Sequence, residues 1–238
     1  MNTVLFDLDG TLLPMEQKLF MRRYLSLLSA KLAAYGVEPQ AMQQALWRGT
    51  EAMVKNDGSQ SNRQRFWNSF AADLGQKIRD LEPVINDFYR HEFNAARDAV
   101  MPNPLAREVI ESLQNKGYTL ALATNPLFPL VAIDTRLRWV GLSCADFAYI
   151  SDYENSRYCK PHSGYFKAVL EELGKRPEEA LMVGNNINED MAAKELGIQV
   201  YLITDCMEGE GTISQYPHGS FAEFAVNVKQ RAPVYCHT

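Results

Sequence analysis

Residues 4–12 read VLFDLDGTL. An apolar run this short, closed by turn chemistry, reads as a buried parallel strand over residues 3–6. It ends in Asp7 and Asp9, two carboxylates two positions apart. Side chains alternate along an extended segment, so Asp7 and Asp9 are expected on one side, with Leu8 turned away. Gly10 permits a tight exit, and Thr11 can cap the segment after it.

Residues 16–98 hold no strand pattern. Phe20, Tyr24, Leu28 and Leu32 recur every four positions, the stripe of a helix buried on one face, and Gly36 and Pro39 punctuate its end. Further helices are expected over 39–54, 63–74 and 81–97. In the last, Pro83 sits in the first turn, and Ile85, Phe88 and Tyr89 share one face. From about residue 100 the pattern alternates. Helices over 105–116, up to Trp139, and over 164–173 and 189–196 are interleaved with strands over 118–123, 146–151, 180–183 and 200–204. A helix over 220–230 closes the chain. Such alternation implies an α/β fold, a Rossmann-like parallel sheet with helices on both faces. The expected division is an α/β core of residues 1–15 and 99–238, with a four-helix block, 16–98, inserted after the first strand.

Composition narrows the function classes. Hydrophobic residues are 46% and charged residues 22% of the 238, an ordinary globular balance. With 24 Lys+Arg against 29 Asp+Glu, the formal charge of -5 argues against nucleic acid as a partner. No apolar stretch approaches a membrane span, and no basic region followed by an apolar run opens the sequence. Cys144, Cys159, Cys206 and Cys236 form no CxxC pair, which fits a reducing, cytoplasmic setting. His91, His162, His218 and His237 show no ligand spacing, and His162 reads as a loop or cap residue.

In an open parallel sheet, ligands sit beyond the carboxyl ends of the strands. Asp7 and Asp9 follow the first strand, and Thr124 and Asn125 follow 118–123. Lys160-Pro161 lies past 146–151, and Gly184-Asn185 follows 180–183, with Glu189 and Asp190 entering the next helix. Singly, each has a plain reading: a turn, a helix cap, a solvated lysine, an acid favoured by a helix dipole. Together they bring carboxylates, a hydroxyl, an amide and an ammonium to one edge.

This constellation resembles the haloacid dehalogenase-like hydrolase superfamily. Its DxDGT motif stands as Asp7-Leu8-Asp9-Gly10-Thr11, its strand-end Thr or Ser as Thr124, and its Lys-Pro as Lys160-Pro161. Its final acidic motif stands as Gly184-Asn185, with Asp190 five residues later. The helical block is similar in position to the cap domain of many members. The resemblance implies a phosphatase acting through an aspartyl-phosphate on Asp7, with Asp9 as general acid and then base. It implies Mg2+ held by Asp7, Asp9 (through its carbonyl), Asn185 and Asp190, leaving open whether Asn185, Glu189 or Asp190 touches the metal directly, and phosphoryl oxygens held by Thr124, Asn125 and Lys160. Asn185 departs from the pattern, which has aspartate there. An acid at Asp9 favours phosphate transfer over carbon–halogen cleavage, because a departing alkoxide needs a proton. The expected substrate is a small phosphorylated metabolite. Alternatives are a sugar phosphomutase, or a weakly active or non-catalytic binding protein on the same fold. Arg22, Arg23, Arg48, Lys55, Arg63 and Arg65 are candidates to meet an anionic substrate, although each taken singly reads as part of a solvated helix face. Residues 206–220 read as a polar loop.

Overall fold

The computed structural model describes residues 1–234, so Cys236 and His237 lie outside the described residues. The central strand, β1 (Thr3–Phe6), is paired in parallel on both sides. Five further strands complete the sheet: β2 (Thr119–Leu122), β3 (Tyr149–Ile150), β4 (Ala180–Gly184), β5 (Gln199–Ile203) and β6 (His218–Gly219). All neighbours are parallel, in the order β3-β2-β1-β4-β5-β6. The chain builds outward from β1 to β2 and β3, then returns to place β4 on the opposite side. The order therefore reverses beside β1, where such sheets open a crevice.

Register fixes which residues meet there. Phe6 lies opposite both Leu122 and Val183. Asp7 donates its N–H to the Val183 carbonyl at 2.9 Å, and Ala123 donates to that of Phe6 at 2.7 Å. The residues just past β1, β2 and β4 thus end at one level.

Alternate residues of each strand feed separate cores, as the pleat requires. Val4, Phe6, Leu120, Leu122, Leu181 and Val183 pack on the side of α5 (Leu105–Asn115) and α8 (Phe221–Gln230). Leu5, Ala121, Met182 and Leu202 face α7 (Ser163–Leu173) and the 3-10 turn Met191–Leu196. Between β1 and β2 stand α1 (Gln17–Ala33), α2 (Pro39–Val54), α3 (Asn62–Leu74) and α4 (Glu82–Arg90), and α6 (Leu130–Trp139) follows β2. The connections into and out of the helical block run side by side: Met101 donates to the Pro14 carbonyl at 2.8 Å and Glu16 to that of Ala99 at 3.1 Å. Fully buried Asn62, at the start of α3, ties the block to loops at the sheet edge. Its backbone N–H donates to the Ser156 carbonyl at 2.8 Å, and its amide to that of Pro126 at 3.2 Å.

Several expectations need correction. The helix expected over 81–97 breaks at His91, and Glu92–Ala99 winds as a 3-10 helix. Phe93, Ala96 and Ala99 are its buried residues, and a three-residue period is that of a 3-10 helix rather than an α-helix. Residues 191–196 are likewise 3-10. The strand expected over 146–151 forms only at Tyr149–Ile150, because a 3-10 turn occupies Cys144–Asp146. Inside the loop expected at 206–220, His218–Gly219 adds a sixth strand.

Candidate active site

Beyond Phe6 the chain leaves the extended state. Thr11 and Leu13 both donate to the Leu8 carbonyl, and Gly10 donates to Leu13 in return, a tight loop that needs φ +86° at Gly10. A side chain at Gly10 would lie 2.2 Å from the Asn185 amide nitrogen, so glycine also lets the loop after β1 touch the one after β4. Strand alternation consequently stops short of Asp9. Both aspartates line one cavity, but on different partners.

Asp7 is buried at 7% exposure, and its Oδ1 accepts from Lys160 Nζ at 2.8 Å. The same ammonium donates to Oδ1 of fully buried Asp190 at 2.6 Å. The backbone N–H of Asn186 secures the other Asp190 oxygen at 2.9 Å. Burial drives the Lys160 ammonium down, but Asp190 and Asp7 outweigh that, and it stays protonated well above the ordinary lysine range. One cation shared by two carboxylates leaves an excess negative charge. Burial foremost, aided by Asp190, pushes the Asp7 carboxyl up to about 8 despite its lysine.

Asn125 links the motifs. Its amide donates to Glu189 Oε2 at 2.9 Å, and its oxygen accepts the Lys160 backbone N–H at 3.2 Å. Thr124 is buried beside it. Asn185 accepts from Thr11 Oγ1 at 3.1 Å and donates to the Cys206 carbonyl at 2.6 Å. His162 accepts from the Gly164 N–H at 3.0 Å, the cap role expected of it.

All seven expected site residues, Asp7, Asp9, Thr124, Asn125, Lys160, Asn185 and Asp190, line a single cavity of about 410 Å³. Two further groups bear on the site, Arg136 from behind the cavity and Glu208 within it. Arg136, on α6, is 1% exposed and donates to Asp9 Oδ2, with its guanidinium 4.3 Å from the Phe128 ring centroid. The other Asp9 oxygen, Oδ1, is buried without a hydrogen-bond partner. The sequence signal for Arg136 was an arginine set on the same helix as buried Ala132, Ile133 and Leu137. Glu208 also lines the cavity, and burial beside Asp9 and Asp190 raises its carboxyl. It stands in the polar loop after β5, whose residues clamp those after β4. Glu208 donates its N–H to the Asn185 carbonyl at 2.9 Å, and Ile187 donates to that of Glu208 at 3.0 Å.

The six candidate cations of the helical block do not line the cavity. Arg48 pairs with Asp73, Lys55 with Glu51, Arg63 with Glu82 and Arg65 with Asp57, and Arg22 and Arg23 point to solvent. Helical periodicity puts them on outer faces, where acids satisfy four of them and water the other two.

Among the described residues no three His, Cys, Asp or Glu side chains are gathered into a metal site, but the cavity lining has the donor chemistry for a hard divalent cation. Five acidic residues (Asp7, Asp9, Glu189, Asp190, Glu208) and Asn185, whose amide oxygen accepts from Thr11, line the cavity, against Lys160 inside it and Arg136 behind it. Oxygen ligands and surplus negative charge suit Mg2+.

The profile of the haloacid dehalogenase-like hydrolases matches residues 1–204. A pyrophosphatase PpaX of Bacillus cereus (strain AH820) is 23% identical over 217 residues, covering 90% of this chain and 88% of its own. A phosphoglycolate phosphatase of Agrobacterium fabrum is 26% identical over 198 residues, 82% of this chain and 76% of its own. Among solved structures, a putative hydrolase of this family from Bacillus subtilis, bound to magnesium, superposes with a TM-score of 0.57. It is 20% identical, with 97% of this chain and 98% of that one covered.

Proposed function

The chain belongs to the haloacid dehalogenase-like hydrolases, and from that premise we propose that it is a Mg2+-dependent phosphatase of small phosphate esters. The observation that carries the reading is the meeting of Asp7, Thr124, Lys160 and Asp190 at one sheet edge, on the floor of a single cavity. The phosphatases among its relatives support it.

In this reading Asp7 attacks phosphorus. The bond to the ester oxygen breaks as the bond to Asp7 forms, and Asp9 gives its proton to the departing oxygen. Water then attacks the aspartyl-phosphate and loses a proton to Asp9, and the Asp7–phosphorus bond breaks to release phosphate. Thr124, Asn125 and Lys160 hold the phosphoryl oxygens, and Asn125 also fixes the backbone of Lys160. Arg136 is a positioning residue that holds Asp9 between encounters with substrate. Asp7, the Asp9 carbonyl, Asn185 and Asp190 would hold Mg2+, which would offset the negative charge that otherwise repels a phosphate. The block of residues 16–98 acts as a cap that covers the site, the core being 1–15 and 99–238. Among the described residues no helix is long and apolar enough to cross a membrane. Cys144, Cys159 and Cys206 are free, which supports the cytoplasm.

Phosphate release from p-nitrophenyl phosphate tests this. Turnover that requires Mg2+ and disappears in Asp7→Asn supports it, whereas undiminished turnover in that variant refutes the assignment of the nucleophile. Complete inactivity would favour the binding-protein reading, for which Asn185 is the specific clue.

A further inference from the structure

We infer that the leaving group accepted by this site is apolar, of aromatic size, and free of any second anionic group. This rests on the phosphatase reading and adds the substrate class. Away from the sheet edge, the cavity wall is built by Phe20, Trp47, Phe66, Trp67, Phe70 and Phe128, with aliphatic side chains between them. The rings are already ordered against one another: Phe66 stacks on Phe70 at 5.1 Å, and Trp67 meets Phe70 edge-on at 5.8 Å. A preformed aromatic wall recognises an apolar group without the entropy cost of ordering it.

The polar groups of that wall are largely spoken for. Tyr24 and Tyr89 hydroxyls bond each other at 2.8 Å, Trp67 Nε1 donates to Tyr153 at 3.4 Å, and Thr50 donates to the Leu46 carbonyl at 3.0 Å. Among the described residues lining the cavity, Lys160 is the one cation, and Asp7 and Asp190 already share it. Arg136 is sealed behind Asp9 and the Phe128 ring. A carboxylate or second phosphate on the leaving group would enter a wall with no countercharge, facing Glu189 and Glu208. A buried anion without a partner is strongly disfavoured.

The test compares two alkyl esters, 2-phenylethyl phosphate and 2-phosphoglycolate, whose departing oxygens are chemically alike. Burying a phenyl-sized group predicts a kcat/KM about 100-fold higher for the phenylethyl ester. Equal rates, or preference for phosphoglycolate, overturn the inference while leaving the phosphatase reading standing. If neither ester releases phosphate, the phosphatase reading falls. Fluorescence of the cavity residues Trp47 and Trp67 then decides the cavity assignment independently. Saturable quenching by phenylethyl phosphate, with none from phosphoglycolate at equal concentration, supports it. Absence of quenching by both, or quenching by both alike, refutes it.

Discussion

The contact between Arg136 and Asp9 can be dissected by a double-mutant cycle, because the two ends of the pair are buried unequally. The Arg136 side chain is 1% exposed, that of Asp9 20%. Removing one partner of a buried ion pair costs about 3–5 kcal/mol, mostly for the charge left behind. Arg136→Met strands a carboxylate that keeps a path to water, so about 3 kcal/mol is expected, the low end of that range. Asp9→Ala strands a guanidinium with no such path, and about 4 kcal/mol is expected. The double variant strands neither, and its remaining cost is loss of the ring contact with Phe128, about 1 kcal/mol. The coupling energy is then about 6 kcal/mol, well beyond the few tenths found for independent sites. Urea unfolding of the four metal-free proteins at pH 7 measures it. Singles that add to the double within about 0.5 kcal/mol would refute the pairing. In the active enzyme, Arg136→Met leaves Asp7 and Lys160 untouched. It should lower kcat about 10–100-fold with little change in KM, the signature of a lost orienting contact. A change confined to KM would place Arg136 in substrate binding instead.

The metal-free protein should lose stability as pH rises from about 4 to 8. Asp7 titrates near 8 in the fold against 3.8 for the free side chain, so the native state binds the extra proton throughout that window. Asp7→Asn should flatten the dependence and stabilise the protein at pH 8 by roughly 2 kcal/mol while abolishing turnover. Guanidinium titrations in chelator at pH 5 and pH 8 read it, and an unchanged slope in the variant counts against it. Asn185→Asp replaces the donor that binds the Cys206 carbonyl with an acceptor. It should destabilise the metal-free protein by about 2 kcal/mol and tighten Mg2+ about tenfold by calorimetry, since a carboxylate replaces an amide. Unaltered affinity would remove residue 185 from the metal's reach. Gly184→Ala would put a methyl group 2.2 Å from Asp190 Oδ2, displacing the carboxylate from Lys160. A loss in kcat/KM of at least about 100-fold is expected in steady-state kinetics, as for misplacement by roughly an ångström at a reacting centre.

The features legible in the sequence and those hidden from it divide along one physical line. The short apolar strands, the helical stripe through Phe20 and Tyr24, and the polar residues after each strand are local patterns. Parallel pairing in register then sets Asp7 one position past Leu122 and Val183, within a residue of Thr124 and Asn185, without further information. Contacts between segments distant in sequence leave no such trace. Arg136 is 127 positions from Asp9. The partner of the residues after β4 is a polar loop whose own composition offered no reason to place Glu208 beside Asp190. The break at His91 was hidden because Phe93, four residues after Tyr89, suits an α-helical stripe as well as a 3-10 one, and only the added burial of Ala96 and Ala99 separates them. The same limit applies to the cations of the helical block: which of them could reach the cavity depends on how the helices pack, and the cavity is formed by the opposite helix faces. On those faces the residues that read as plain core, Phe66, Trp67 and Phe70, close over the phosphoryl-binding edge. Core and binding wall are therefore one surface here, and a substitution made to probe specificity, such as Phe70→Ala, will also cost about 3–5 kcal/mol of stability. Trp47, 51% exposed at the same cavity, escapes that coupling and is the position at which specificity can be altered alone.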